Sequence, residues 1–144
     1  MSKQQRYDER QEELRLKMID TASRMIWITF QKVGFHYYPA ALTDENLEDV
    51  KYLGQRHRHL FKFKVWIEIF HNDRELEFHQ VLNFCESLFD SHIDIDSKSV
   101  EMLADDLYIE LSKKYPNRDI RIDISEDGEC GCTINYNKTK EISQ

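Results

Sequence analysis

The sequence lacks three features that would each indicate a particular class of protein. It has only three cysteines among 144 residues, an odd number that suits a reducing compartment better than a disulfide scaffold. It has no apolar run near the ~20 residues of a membrane span, and its start, MSKQQRYDERQEELR, is too charged for a signal peptide. It also lacks an excess of positive charge, since its formal net charge is −7. We therefore expect a cytoplasmic protein that binds neither nucleic acid nor a membrane.

The composition is that of an ordinary globular domain. Apolar residues make up 40% of the chain and charged residues 33%, and the length is sufficient for one domain with a real core. Cys130 and Cys132 are spaced like a metal-binding pair. Because no second pair stands at zinc-site spacing, we interpret both cysteines as small residues of a strand.

Hydrophobic periodicity divides the chain into a charged N-terminal helix over residues 1–23, a domain over residues 24–136 and a flexible polar tail over residues 137–144. Within the domain the spacing of apolar residues predicts, in order, a strand at 24–36, a strand opening at 57, helices at 78–89 and 100–111, and strands at 120–124 and 132–136. This order predicts an α+β fold, with a four-stranded antiparallel sheet and two helices on one face. Such a sheet leaves two open edges, and pairing with other copies is one way to close them.

Three histidines stand at the ends of the first two strands. His57 and His59 have the same parity as the apolar row of their strand, so both rings should leave on its buried face, about 7 Å apart along the chain. His36 ends the first strand, and antiparallel pairing would bring it beside them. Three neutral imidazoles with one open position are the arrangement of a catalytic zinc. The alternative is a pair of hydrogen-bonded histidines in a basic patch with Arg56 and Arg58.

Four parts of the sequence resemble the 6-pyruvoyl- and 6-carboxytetrahydropterin synthase family, which has the tunnelling fold. They are His36 at the end of the first strand, the HxH of His57 and His59, the segment 98–104 that opens the second helix, and Glu126 after the alternating residues of the penultimate strand. The resemblance implies that the histidines hold zinc and that Glu126 grips the guanidine-like edge of a pterin or purine. It also implies a homo-oligomer, a trimer or hexamer, with sites at subunit boundaries. The alternative for Glu126 is a solvated turn residue.

The chain departs from the family's pattern at the residues that move protons. The synthases carry a cysteine a few residues before HxH, and residues 50–56 contain none. They carry an adjacent Asp-His between the two helices, where this chain has Asp90 and His92 with one residue between them. An aspartate and a histidine within reach of each other could still relay a proton, so we expect these two as the catalytic pair. The alternative is that both are ordinary loop residues.

Three hypotheses about function follow. The first is a zinc-dependent enzyme, of the lyase type of these synthases, that acts on a pterin or deazapurine precursor. The second is a non-catalytic protein of the same fold that binds or sequesters a purine-like nucleotide, with Arg56, Arg58 or Lys62 contacting its phosphates. The third is an interaction protein that uses its N-terminal helix and open sheet edges. Bound zinc distinguishes the first from the third, and turnover distinguishes the first from the second.

Overall fold

The computed structural model describes residues 1–139, so the last five residues of the predicted tail lie outside the described part of the chain. In chain order the elements are α1 (Lys3–Asp20), β1 (Arg24–His36), the 3₁₀ segments Pro39–Leu42 and Glu45–Gly54, β2 (His57–Ile69), α2 (Phe78–Ser87), β3 (His92–Asp94), α3 (Val100–Lys114), β4 (Ile120–Glu126) and β5 (Cys130–Tyr136). None of the helices within residues 1–139 is long and apolar enough to cross a membrane.

The sheet has five strands in the order β3-β1-β2-β4-β5. The mixed α+β class is therefore correct, but the predicted four-stranded antiparallel sheet is wrong in two respects, because the sheet has a fifth strand and that strand pairs in parallel. Strand β3 pairs in parallel with β1, from Val33 opposite His92 to Phe35 opposite Asp94. The strand has three residues and only Ile93 is buried, which is too short a segment to show the alternation that identifies a strand.

The ladder between β1 and β2 is continuous, from Arg24 opposite Ile69 to His36 opposite His57. Gly34 pairs regularly with His59 within this ladder. Its lack of a side chain serves close packing, because a Cβ there would lie 2.6 Å from Ile93 and 2.7 Å from the ring of Phe61. Gly34 thus lets two core side chains meet over β1 just before its terminal histidine.

The core lies between one face of the sheet and the helices α2 and α3. Ser99 caps α3 by accepting a hydrogen bond from the N–H of Met102 at 3.2 Å, and Glu77 caps α2 through the N–H of Gln80. The largest fully buried side chains are those of Phe61, Phe63, Val65, Ile67, Val81, Cys85, Leu107, Leu111, Ile120, Ile122 and Ile124. The apolar row of β2 therefore forms the centre of the core, and the two histidines of the same parity extend that row to its end.

Helix α1 stands apart from this core and buries no residue. Local interactions stabilise it, beginning with a capping box in which Ser2 and Gln5 exchange side-chain and backbone hydrogen bonds. At its other end Arg24 donates hydrogen bonds to the carbonyl oxygens of Ile19 and Ala22. The helix thus adjoins the start of β1, at the opposite end of that strand from His36.

Candidate metal centre

The end of β1 and the start of β2 bring His36, His57 and His59 together. The centroids of the three rings lie 4.5 to 5.0 Å apart, and each pair of rings meets edge to face. Their candidate ligand atoms all lie within 4.8 Å of one another. The spatial grouping predicted from strand parity is therefore present.

Backbone carbonyl groups fix the orientation of two of these rings. The Nδ1 atom of His57 lies 2.7 Å from the carbonyl oxygen of Gln55, and that of His36 lies 3.4 Å from the carbonyl oxygen of Lys98. A carbonyl oxygen can only accept, so Nδ1 carries the proton in each ring. In a neutral imidazole the lone pair then resides on Nε2, the atom available to a metal.

A carboxylate fixes the orientation of the third ring. The Nδ1 atom of His59 lies 2.7 Å from Oδ2 of Asp127, while Oδ1 of Asp127 accepts the backbone N–H of Leu60 at 2.8 Å. Asp127 and Gly128 form the hairpin turn between β4 and β5 with φ angles of 59° and 75°, which suits an Asp-Gly pair. The N–H of Leu60 and the ring of His59 hold the pKa of the Asp127 carboxyl below its usual range. The hairpin turn therefore supplies a charged acceptor behind His59, an arrangement that is common behind metal ligands.

The environment of the Nε2 atoms of the three histidines indicates a cation-binding site. Within the described residues, the Nε2 atoms of His57 and His59 are buried and have no hydrogen-bond partner. His36 is only 9% exposed, and burial lowers the pKa of its imidazole although nearby Glu126 opposes that shift. Buried lone pairs that converge without a donor are unfavourable unless a cation joins them. The donor set fits zinc, and an ion would draw the rings together, since two donors of one zinc lie roughly 3.3–3.4 Å apart.

Glu126, the last residue of β4, faces the same point. One of its carboxylate oxygens lies 3.3 Å from Nε2 of His36 and the other lies 3.3 Å from Nε2 of His59. Its side chain is 25% exposed, so it lies at the boundary between the histidines and solvent. The contact with His59 has the distance of an ion pair but not the geometry of a hydrogen bond.

A cavity of about 370 Å³ opens onto this group, within the size range of small-molecule sites. Its lining comprises His36, Tyr37, Tyr38, Leu53, His57, residues 97–102 and Glu126. Glu101, in the first turn of α3, is a second carboxylate in this lining and was not identified as a site residue from the sequence. The sequence feature that indicates this position is the segment 98–104, which contains Glu101 and resembles the family's pattern.

The basic residues predicted to contact phosphates, Arg56, Arg58 and Lys62, lie outside the histidine cavity. Arg56 donates two hydrogen bonds, at 2.8 and 3.2 Å, to one oxygen of Asp94 and covers the ring of Phe35. Arg58 is exposed and has the opposite parity to the histidines, so it leaves the other face of β2. Lys62 lines an open depression of about 690 Å³ on that other face. None of the three lines the histidine cavity, and their role in ligand binding stays a prediction.

The predicted catalytic pair also lies outside the histidine cavity of a single chain. Asp90 and His92 border a separate cavity of about 360 Å³ together with Asp94, Asp96, Lys98 and Asp106. His92 pairs with Val33, three residues before His36, which corresponds to roughly 10 Å along the strand. One chain therefore does not bring the pair to the histidines.

The fold and site together define a class: an α+β protein with a candidate metal site of three histidines at the ends of neighbouring strands. No protein-family model matches the sequence, and no curated protein matches it. Among solved structures the fold is similar to that of the 6-pyruvoyl tetrahydropterin synthase of Caenorhabditis elegans, with a TM-score of 0.53. The match covers 82% of this chain and 97% of that one at 13% identity. At this identity the similarity establishes a synthase-like fold, which agrees with the resemblance found in the sequence.

Proposed function

We propose that the protein is a zinc-dependent member of the 6-pyruvoyl/6-carboxytetrahydropterin synthase type that acts on a pterin or deazapurine precursor. One observation carries the proposal: in a synthase-like fold, three histidines whose Nδ1 atoms face acceptors direct their Nε2 atoms to a common buried point. His36, His57 and His59 would hold the ion. A zinc ion bound there would supply Lewis acidity, which polarises a substrate oxygen or lowers the pKa of water.

The cavity beside the histidines supports a flat, nitrogen-rich ligand. The rings of Tyr37 and Tyr38 supply apolar surface, and Glu126 supplies a carboxylate that can accept two parallel N–H bonds from a guanidine-like edge. Glu101 is a second acceptor in the same lining. Lys98 also lines the cavity, but its ammonium group pairs with Asp106. No Arg or Lys of the described chain lies within ion-pair distance of Glu126, so the two carboxylates favour a ligand edge that donates hydrogen bonds over an anionic one.

Catalysis would require Asp90 and His92 from a second copy of the chain, because a single chain keeps them in another cavity. The sheet offers edges for such an assembly. Strand β5 is an edge strand of seven residues, and β3 covers only residues 33–35 of β1, so residues 24–32 of β1 have an open side within the described sheet. These edges support the predicted trimer or hexamer.

Light scattering at micromolar concentration should therefore give a mass of three or six times 17.4 kDa. A mass of 17.4 kDa, that of a monomer, would contradict this assembly.

A second candidate is a non-catalytic protein of this fold that binds a purine-like nucleotide. It is favoured by the absence of cysteine from residues 50–56 and by the distance of Asp90 and His92 from the histidines. Contact of Arg56 with a phosphate would require it to release Asp94, whose carboxyl pKa is held below its usual range mainly by that side chain. The binder hypothesis shares the metal and the cavity with the enzyme hypothesis and differs from it in turnover.

The experiment measures metal, binding and turnover on the same preparations. Elemental analysis should find close to one zinc per chain, and calorimetry with panels of pterins and guanine nucleotides should identify the ligand class. For an enzyme, His92→Ala should lower turnover by roughly 10²–10⁴-fold with binding retained. For a binder it should change nothing. If no ligand of either panel binds the wild type, both hypotheses fall and the interaction protein remains.

The ligand-gripping role of Glu126 is tested by Glu126→Gln with zinc in excess. The amide places an NH₂ donor where one oxygen accepted, so one of the two parallel bonds is replaced by opposed donors. Hydrogen bonds to charged groups contribute roughly 1.5–3 kcal/mol each, so ligand affinity should fall by tenfold or more. Affinity unchanged in this variant would show that Glu126 does not hold the ligand.

A further inference from the structure

The side chain of Glu126 makes no hydrogen bond within the described residues, so hydrogen bonding does not explain its position. Its two carboxylate oxygens lie 3.3 Å from Nε2 of His36 and 3.3 Å from Nε2 of His59, and these imidazoles are its only ion-pair partners within residues 1–139. Both rings direct Nδ1 at an acceptor, so a neutral ring presents a lone pair to the carboxylate. A negative group is therefore held against two acceptors.

An imidazolium–carboxylate ion pair is the simplest alternative, and the geometry at His59 argues against it. The imidazole ring fixes the direction in which an Nε2–H would point, and a charge-assisted hydrogen bond needs the oxygen to lie along that direction. The Nε2 atom of His59 has no hydrogen-bond partner, although the oxygen is 3.3 Å away. The same holds for the buried Nε2 of His57, which faces the same point. Four acceptors thus surround one position without a donor among them.

We infer that Glu126 is a fourth metal-binding residue, so that His36, His57, His59 and Glu126 form a donor set supplied entirely by the protein. Zinc binds carboxylate oxygen and imidazole nitrogen at similar lengths, and two donors on one tetrahedral ion lie roughly 3.3–3.4 Å apart. Each carboxylate oxygen of Glu126 lies 3.3 Å from one Nε2, Oε1 from that of His36 and Oε2 from that of His59. Each oxygen is therefore already at the spacing of a co-ligand from one histidine, whereas the histidines must still approach one another.

This inference rests on the proposed zinc site and changes how the site works in the ligand-free protein. A site closed by four protein donors holds its ion without an open position, as structural zinc sites do. Glu126 cannot offer both oxygens to a ligand edge while it binds the ion. Glu126 would therefore leave the ion when it binds the ligand edge, so ligand binding would be coupled to a change in the coordination of the metal.

Zinc affinity, measured by competition with a chelator, provides the first test. Glu126→Gln keeps the shape of the side chain and should weaken zinc binding by about tenfold or more, a loss at least as large as that from altering groups behind metal ligands. The matched control is Glu129→Gln, which removes one charge from the same hairpin at an exposed position and should bind zinc as the wild type does. Equal affinity for Glu126→Gln and the wild type would overturn the inference.

Cobalt substitution and azide provide a second test that does not use activity. Azide should leave the visible spectrum of the cobalt-loaded wild type unchanged, because no position is open to it, and should alter the spectrum of Glu126→Ala. A crystal structure of the zinc-loaded wild type needs no variant, and should place a Glu126 oxygen roughly 2.0–2.2 Å from the ion. A Glu126 oxygen more than about 3 Å from the ion, or a change in the wild-type spectrum on adding azide, would refute the metal-binding role of Glu126. Either result would leave the proposed zinc site of three histidines standing. A wild type that binds no zinc would remove the proposed metal centre itself.

Discussion

Asp127→Asn should weaken zinc binding because it changes which nitrogen of His59 carries the proton. In the wild type the carboxylate accepts the backbone N–H of Leu60 at 2.8 Å through one oxygen and faces Nδ1 of His59 at 2.7 Å through the other. An asparagine that keeps the bond to Leu60 turns its NH₂ donor toward His59. Nδ1 must then accept, so the proton moves to Nε2 and the lone pair needed by a metal is lost.

The size of the effect follows from what the substitution preserves. Asp127 has a φ of 59°, a conformation that asparagine tolerates as well as aspartate, so the hairpin turn should keep its shape. One of the two side-chain hydrogen bonds is kept and only the contact with His59 changes. Groups behind metal ligands contribute 10–100-fold to affinity, which corresponds to about 1.4–2.7 kcal/mol.

The assay is chelator competition for zinc at neutral pH, with a thermal melt of each metal-free variant as a check on folding. Glu129→Gln again serves as the control, since it lies in the same hairpin and removes the same charge. The expected result is a large loss for Asp127→Asn, little change for the control, and similar melting temperatures for both metal-free proteins. Affinity within about twofold of the wild type for Asp127→Asn would refute the argument that the turn sets the tautomer of His59.

His57→Ala should purify without zinc by elemental analysis, whereas the control His79→Ala, on the exposed face of α2, should retain it. Zinc retained by His57→Ala would show that His57 is not a metal ligand. Gly34→Ala should destabilise the fold by roughly 1–3 kcal/mol in urea unfolding, because its Cβ would lie 2.6 Å from Ile93, and an unchanged midpoint would contradict this packing. The N–H of Phe70 is the main group that lowers the pKa of Glu75 from 4.5, so the stability due to this carboxylate is present above pH 4.5 and is lost as pH falls below it. Glu75→Gln should lose part of that acid dependence, and an identical pH profile of stability would argue against it.

The sequence was sufficient to place β1, β2 and the three histidines, because a long half-buried strand repeats its signal at every second residue. His57 and His59 lie on the same side of β2 as Phe61 for that reason alone, and antiparallel pairing then brings His36 beside them. The apolar stripe of residues 100–111 located α3 in the same way. Each of these predictions depends on patterns that are local in the chain.

What could not be predicted depends on contacts between distant residues. Strand β3 has three residues and exists because Ile93 packs beside Gly34, a pairing between residues 59 positions apart that no periodicity indicates. The contact of Asp127 with His59 spans 68 positions. The carboxylates of Glu126 and Asp127 are directed toward the histidines because of how β4 pairs with β2, which no local pattern indicates.

Helix α1 and the histidines lie at opposite ends of β1, and this has a practical consequence for work with the protein. A strand of 13 residues separates the two ends of β1 by about 40 Å, and the helix of 18 residues is about 27 Å long. Because α1 buries no residue, an affinity tag, a fluorophore or a surface tether attached to this helix should not disturb the core. Immobilised protein should therefore keep its histidine cavity free to exchange metal and small molecules with the surrounding solution.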